Sequence, residues 1–236
     1  MRKRPPDSNS GSTHSVPPLP DRFFDQYASA PRVGDDPELH GGRTRQSPHV
    51  EGLWPTHVYC EWIPAETEST RLESLVPQDA SSLVHSPLGA PLALHVSLSQ
   101  SLMLATPDRD TFVNSIRAAV DDNLASFSLK FESAEWIANP SHTREFYILR
   151  TAPCDQLTAL LDATNRVCRA MSYPTLEDAG FHVSLAWRLP DQANRKRIRL
   201  SDSDDSTQDV FDELEVKIHA VKIKIGRTVH RKELKS

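Results

Sequence analysis

Long apolar runs are missing from this sequence. None of its 236 residues belongs to a stretch approaching the roughly 20 apolar residues that cross a bilayer. The opening Met1-Arg2-Lys3-Arg4-Pro5-Pro6 lacks the apolar core of a secretory signal. Neither a membrane nor a secreted protein is expected. Cysteine is scarce: Cys60, Cys154 and Cys168 cannot all pair and none forms C-x-x-C, which argues against a disulfide scaffold and a zinc finger. Positive charge is not in excess either. The 27 basic residues against 32 acidic ones leave a net charge of −5, so any contact with nucleic acid has to be local. The expectation is a soluble, reduced protein of the cytoplasm or nucleus, at a length that suits one domain with extensions or two small ones.

Composition shifts along the chain. The first 50 residues hold 8 of the 18 prolines and 4 of the 8 glycines but only 11 hydrophobic residues. Such a segment cannot bury enough apolar surface to offset its ordering entropy. We therefore expect a disordered tail over residues 1–39 and a folded domain over 40–236. Arg2-Lys3-Arg4 is a short basic cluster that suits a solvated tail better than a nuclear signal.

Within the domain, residues 57–63 predict a strand rich in β-branched and aromatic side chains. Residues 68–84 predict a helix interrupted near Pro77, and 92–100 a second strand. A helix with Pro107 in its first turn then carries Phe112, Val113, Ile116, Val120 and Leu124 on one face. Residues 128–138 and 143–151 predict an antiparallel pair joined at Asn139-Pro140-Ser141. A helix follows with Leu157, Leu160, Leu161, Thr164, Val167, Cys168 and Met171 at helical spacing, and then a strand over 181–187. Residues 190–209 form a polar insert, basic and then acidic, expected as a surface loop. A long strand is expected over 211–225, and a turn at Gly226 leads into 228–234. This order predicts an α+β fold, with antiparallel sheet covered by helices on one face.

One word occurs twice. Leu94-His95-Val96-Ser97-Leu98-Ser99 and Phe181-His182-Val183-Ser184-Leu185-Ala186 share the pattern apolar-His-apolar-Ser-apolar, 87 residues apart. In a strand, alternate side chains point to opposite faces. Leu94, Val96 and Leu98, like Phe181, Val183 and Leu185, are thus expected under helices, with His95 and Ser97, like His182 and Ser184, on the other face. A helix precedes each copy. The repeat predicts two pseudo-symmetric lobes around a central cleft, bringing two His and two Ser together.

Two imidazoles titrating near ~6.5 can act as one general base and one general acid. Two hydroxyls can donate to the non-bridging oxygens of a phosphate and stabilise charge on pentacovalent phosphorus. An RNA 2′-hydroxyl beside its own phosphodiester is already a placed nucleophile. The chemistry predicted is metal-free transesterification to a 2′,3′-cyclic phosphate, or hydrolysis of such a ring. The ten histidines show neither H-E-x-x-H nor paired ligand spacing. Neither serine lies in G-x-S-x-G.

The duplicated His-x-Ser resembles the 2H phosphoesterase superfamily and, more narrowly, the U6 small nuclear RNA 3′-processing phosphodiesterases. The narrower resemblance is carried by Gly42-Arg43-Thr44-Arg45, Pro48-His49, Gly52 and Trp54-Pro55-Thr56-His57-Val58-Tyr59. It is also carried by both tetrads, by the segment from Asn139 to Tyr147, and by Val221-Lys222-Ile223-Lys224-Ile225-Gly226. It spans about residues 40–235. The resemblance implies a bilobal 2H fold and a 3′-to-5′ exoribonuclease that trims the U-rich 3′ end of U6 RNA in the nucleus; a monomer is expected. It implies His95 and His182 as the acid–base pair, Ser97 and Ser184 as phosphate ligands, and no metal or cofactor. The product is a 2′,3′-cyclic phosphate or its opened 3′-phosphate.

The sequence departs from that family in places. A tyrosine that stacks on the terminal base is expected shortly before the second His, but the position six before His182 is Leu176. The nearest tyrosine is Tyr173, either a base-stacking residue or a core aromatic at a helix end. From Val216 onward, seven Lys/Arg against Glu233 offer either a phosphate-tracking surface or a lysine-protected sheet edge. Two other readings stand beside the leading one: a 2′,3′-cyclic phosphodiesterase or ligase-like 2H enzyme, and a catalytically silent RNA-binding module.

Overall fold

His57, Tyr59 and Glu61 alternate with Val58, Cys60 and Trp62 along the first strand, and only the second set is buried throughout. That two-residue period is repeated in the neighbouring strands and divides the sheet into an apolar face and a polar one. The computed structural model describes residues 50–190 and 210–235, except Pro87, Asp178, Ala179 and Glu215. The chain divides into an N-terminal unit, Met1–Glu51, and a unit from Gly52 to Ser236. The expected tail over 1–39 and, but for Pro190, the expected loop over 190–209 lie outside the described residues.

The elements, in chain order, are β1 (Leu53–Trp62), α1 (Glu66–Ser74), β2 (Ser81–Ser82), β3 (Leu94–Ser97) and β4 (Leu102–Ala105). A 3-10 turn (Thr106–Asp108) containing Pro107 leads into α2 (Arg109–Ala119). Then come β5 (Phe127–Leu129), β6 (Phe131–Ala138), β7 (Glu145–Thr151), α3 (Asp155–Ala170), β8 (His182–Arg188), β9 (Val216–Ile218), β10 (Ala220–Ile225) and β11 (Thr228–Glu233). The main sheet runs β11-β10-β1-β3-β8-β7-β6, with β4 paired to β1 and β2 to β8; β5 and β9 form a separate pair. Every pairing within these sheets is antiparallel.

The two halves therefore share one continuous sheet, joined at the β3–β8 seam. The apolar face carries Val58, Cys60 and Trp62, Val96 and Leu98, Val183 and Leu185, and Val221, Ile223 and Ile225. These residues form one cluster with Phe112, Val113 and Ile116 of α2 and Leu157, Leu160 and Leu161 of α3. Both helices contribute residues spaced three or four apart, so a single stripe of each meets the core.

Four expectations need correction. The helix over 68–84 ends at Ser74, because the residue before Pro77 is pushed out of the helical region, and Ser81–Ser82 then pairs with β8. The strand over 92–100 is confined to Leu94–Ser97, and a further strand, β4, follows it. The strand over 128–138 is two strands, with β5 paired to β9 and β6 to β7. The long strand over 211–225 is broken as well: residues 210–212 are helical, and β9 and β10 join different sheets. The reason is a change of phase. Val216, Ile218 and Ala220 alternate in one register and Val221, Ile223 and Ile225 in the other, so the chain must turn over between them.

Candidate active site

The site is built where β3 meets β8. Val96 and Val183 are directly paired there, and both are buried. Their sequence separation is the 87 residues that separate the two tetrads. Extending the antiparallel register by one residue each way sets His95 across from Ser184 and Ser97 across from His182. All four side chains stand on the polar face, opposite the face that carries Val96 and Val183. A pseudo-two-fold axis through the Val96–Val183 pair exchanges the tetrads. The sequence places these four residues on one face, and the structure brings them onto adjacent strands.

The flanking strands are not alike. On one side, β1 sets Tyr59 opposite Ser97 and Glu61 opposite His95. On the other, β7 sets Ile148 opposite Ser184 and Arg150 opposite His182. Glu61 is held in an ion pair by Lys222 of β10, and Arg150 Nε donates to Glu135 Oε1 at 2.6 Å. A symmetric set of two His and two Ser side chains thus sits between chemically different walls.

Each histidine is tuned by its surroundings. His182 is held by a hydrogen bond from Nδ1 to the Gly180 carbonyl at 3.1 Å, which leaves the lone pair of the neutral ring on Nε2. Its pKa is lowered chiefly by burial; the Gly180 carbonyl opposes that, Arg150 adds to it, and Glu135 opposes it. Burial also lowers the pKa of His95, His182 pushes the same way, Glu61 opposes and Lys224 adds to the lowering. Gly180 has φ +87°, a conformation that favours glycine. There it faces Arg150, and its carbonyl meets His182.

A third imidazole joins them. His57 Nε2 lies 3.1 Å from Ser97 Oγ. Its ring stacks on Tyr59 at 5.2 Å and meets His95 edge-on at 5.3 Å. Burial first, then His95 and Lys224, push its pKa down to about 4. In the sequence His57 stands out only as part of a strand and of the segment that carries the family resemblance, although the alternation of His57, Tyr59 and Glu61 against Val58, Cys60 and Trp62 already places all three on one face.

Tyr173 is placed elsewhere. Its hydroxyl donates to Asp108 Oδ2 at 2.6 Å and accepts from the Ala105 amide at 3.1 Å, while its ring meets Phe112 edge-on. Leu176 packs against the core, and the side chain of Asn165 bonds both its amide and its carbonyl. The basic C-terminal segment is divided. Lys222 and Lys224 of β10 lie on the polar face, and Lys224 pairs in register with His57. Lys224 is exposed and has no carboxylate partner among the described residues. Beyond Glu61 opens a groove of about 360 Å³ lined by Ile63, Glu68, Lys217, Lys222 and Arg231 among others. No group of three metal-ligating side chains occurs among the described residues. No helix among them is long and apolar enough to cross a membrane.

Two His-x-Ser strands meet on one open sheet face, a layout suited to phosphodiester chemistry. Comparison with known proteins agrees. The sequence model of the HVSL family, described as an uncharacterised conserved protein, matches residues 17–233, and so begins within the segment expected as a tail. A Neurospora crassa protein named U6 snRNA phosphodiesterase 1 is 32% identical over 98% of this chain and 78% of its own. The Homo sapiens protein of that name is 31% identical over 81% and 74%. The structure of Kluyveromyces marxianus Usb1 superposes with a TM-score of 0.64 at 16% identity, covering 76% of this chain and 98% of that one. The chain belongs to the HVSL family, with the U6 snRNA phosphodiesterases as its named relatives, and it has the α+β fold of Usb1.

Proposed function

We propose that this chain shortens the U-rich 3′ end of U6 small nuclear RNA, one nucleotide at a time, in the nucleus. The observation that carries this reading is the seating of His95, Ser97, His182 and Ser184 on one face across the Val96–Val183 pair. The names of its sequence relatives supply the substrate. Both tetrads come from one polypeptide, so a monomer suffices.

In this reading the penultimate ribose 2′-oxygen attacks the phosphorus that links it to the last nucleoside. One imidazole accepts the 2′-hydroxyl proton as the phosphorus–oxygen bond forms. The other, protonated, gives its proton to the departing 5′-oxygen as that bond breaks. Ser97 and Ser184 donate to the non-bridging oxygens, where negative charge grows. The shortened RNA ends in a 2′,3′-cyclic phosphate, opened to a 3′-phosphate if water then attacks. No step calls on a metal or cofactor. The retained strand is drawn along the cations of β10, which face the same side as the tetrads.

The test is trimming of oligouridine in EDTA with analysis of the new 3′ end. Stepwise shortening with a cyclic or 3′-phosphate terminus is expected. Activity lost in EDTA and restored by Mg²⁺ or Zn²⁺ overturns the two-histidine mechanism.

A further inference from the structure

We infer that His57 is a positioning residue that holds the Ser97 hydroxyl in place before the substrate arrives. This rests on the reading above, in which Ser97 meets the reacting phosphate. His57 itself reaches no reacting atom in that scheme and acts through Ser97.

The geometry carries the inference. His57 Nε2 lies 3.1 Å from Ser97 Oγ, within hydrogen-bond range. The His57 ring cannot turn freely: Tyr59 stacks on one side at 5.2 Å and 24°, and His95 meets it edge-on at 5.3 Å and 82°. Tyr59 also touches His95, at 5.5 Å, so the three rings brace one another. The backbone of Ser99 favours a proton on the His57 ring. In this arrangement the neutral ring carries its hydrogen on Nδ1 and offers the Nε2 lone pair to Ser97, which then donates.

Ser184, its pseudo-symmetric counterpart, makes no side-chain hydrogen bond among the described residues. On β7 the residue opposite it is Ile148, which has no polar group to offer, and on β3 it is His95, with which it makes no hydrogen bond. The two serines are therefore inequivalent. Ser184 is free to turn, whereas the Ser97 oxygen is already set. When a phosphate oxygen arrives, its charge makes it the stronger acceptor. Only the Ser97 hydrogen then has to turn, from Nε2 to the phosphate, while the oxygen stays where it is. His57 thus lowers the reorganisation required at one of the two phosphate donors.

The experiment is a double-mutant cycle between His57 and Ser97, read as kcat and KM on the dinucleotide UpU. His57→Phe keeps an aromatic ring between Tyr59 and His95 but removes Nε2. It should lower kcat about tenfold, the scale of one hydrogen bond, with KM and melting temperature near wild type. In the Ser97→Ala background it should add no further loss. His57→Gln, which restores a polar partner, should recover part of kcat, and it serves as the cycle partner if His57→Phe does not fold. Wild-type kcat in His57→Phe, or losses that multiply with Ser97→Ala, overturn the inference. If wild-type protein leaves UpU and longer oligouridine intact, the proposed function fails instead, so the two failures are distinguishable.

Discussion

Gly180 and Arg150 occupy a space that leaves no room for a side chain on the glycine. A Cβ at Gly180 would lie 2.0 Å from Arg150 Nη1, and the glycine backbone sits at φ +87°. The Gly180 carbonyl accepts from His182 Nδ1, so this contact sets the tautomer of an imidazole that the proposed function uses for proton transfer. Gly180→Ala should displace Arg150 and the carbonyl together. We expect a loss of about 1–3 kcal/mol in stability from the backbone strain alone, with a larger fall in kcat than that of an unstrained surface variant. Denaturant melts and UpU turnover measured side by side check it.

Removing either imidazole should stop the chemistry and leave the fold intact. His95→Gln and His182→Gln each delete a proton-transfer partner, a loss of roughly 10²–10⁴-fold or more in kcat. Both side chains lie on the polar face, away from the apolar cluster, so melting temperature and affinity for non-cleaved RNA should be little changed. A His182→Gln enzyme that trims at the wild-type rate refutes the paired assignment.

Acidity of the site gives a third expectation. Both His95 and His182 are held below the ordinary histidine value of 6.5, chiefly by burial. Catalysis needs one neutral and one protonated ring, so the rate peaks between their two pKa values. The bell in kcat/KM should therefore centre below 6.5, falling on the acid side as the base becomes protonated and on the alkaline side as the acid loses its proton. A maximum above neutrality contradicts the environment described for these rings.

The identity of the nucleophile is open to direct chemical test. An oligouridine with a 2′-deoxy sugar at the penultimate position should bind yet keep its last nucleotide. The same change in the last sugar should be tolerated, because that oxygen does not attack. End-labelled substrates resolved on a gel separate the cases. Trimming past the 2′-deoxy penultimate sugar means that water, not the ribose, is the nucleophile.

Lys224 supplies a fifth check. It is exposed beside His57 and has no carboxylate partner among the described residues. In the proposed path it meets a backbone phosphate. Lys224→Ala should weaken binding of long oligouridine and lower the slope of log K against log salt by about 0.7, the value for one single-strand phosphate contact. Turnover of UpU, which has no distant phosphate, should hold. An unchanged salt slope removes Lys224 from the path.

How much of this was legible in the sequence follows from period and register. The tetrads could be read because a strand's two-residue alternation assigns faces without knowledge of the neighbours, and the helix stripes of α2 and α3 because three- and four-residue spacing does the same. Which strands adjoin could not be read. Nothing in Val96 or Val183 announces that they pair, yet that pairing makes one continuous sheet from two expected lobes. The break at His219 was visible as a shift of apolar phase, but a phase shift alone does not tell a bulge from a change of sheet. His57 was overlooked for a related reason. Its role depends on Ser97, 40 residues away, and on a ring cluster formed only when β1 lies beside β3.

The four motif side chains, taken alone, have no polarity. A two-fold axis through Val96 and Val183 turns His95 into His182 and Ser97 into Ser184, and it would present a strand running 5′ to 3′ in the same way as one running 3′ to 5′. An enzyme that works from one end of a chain cannot take its sense of direction from such a set. Direction has to come from the walls, where Tyr59 and Glu61 on one side answer to Ile148 and Arg150 on the other. Under the proposed function the repeated word would supply the reaction, and the unrepeated strands beside it would have to decide which end of the RNA is consumed.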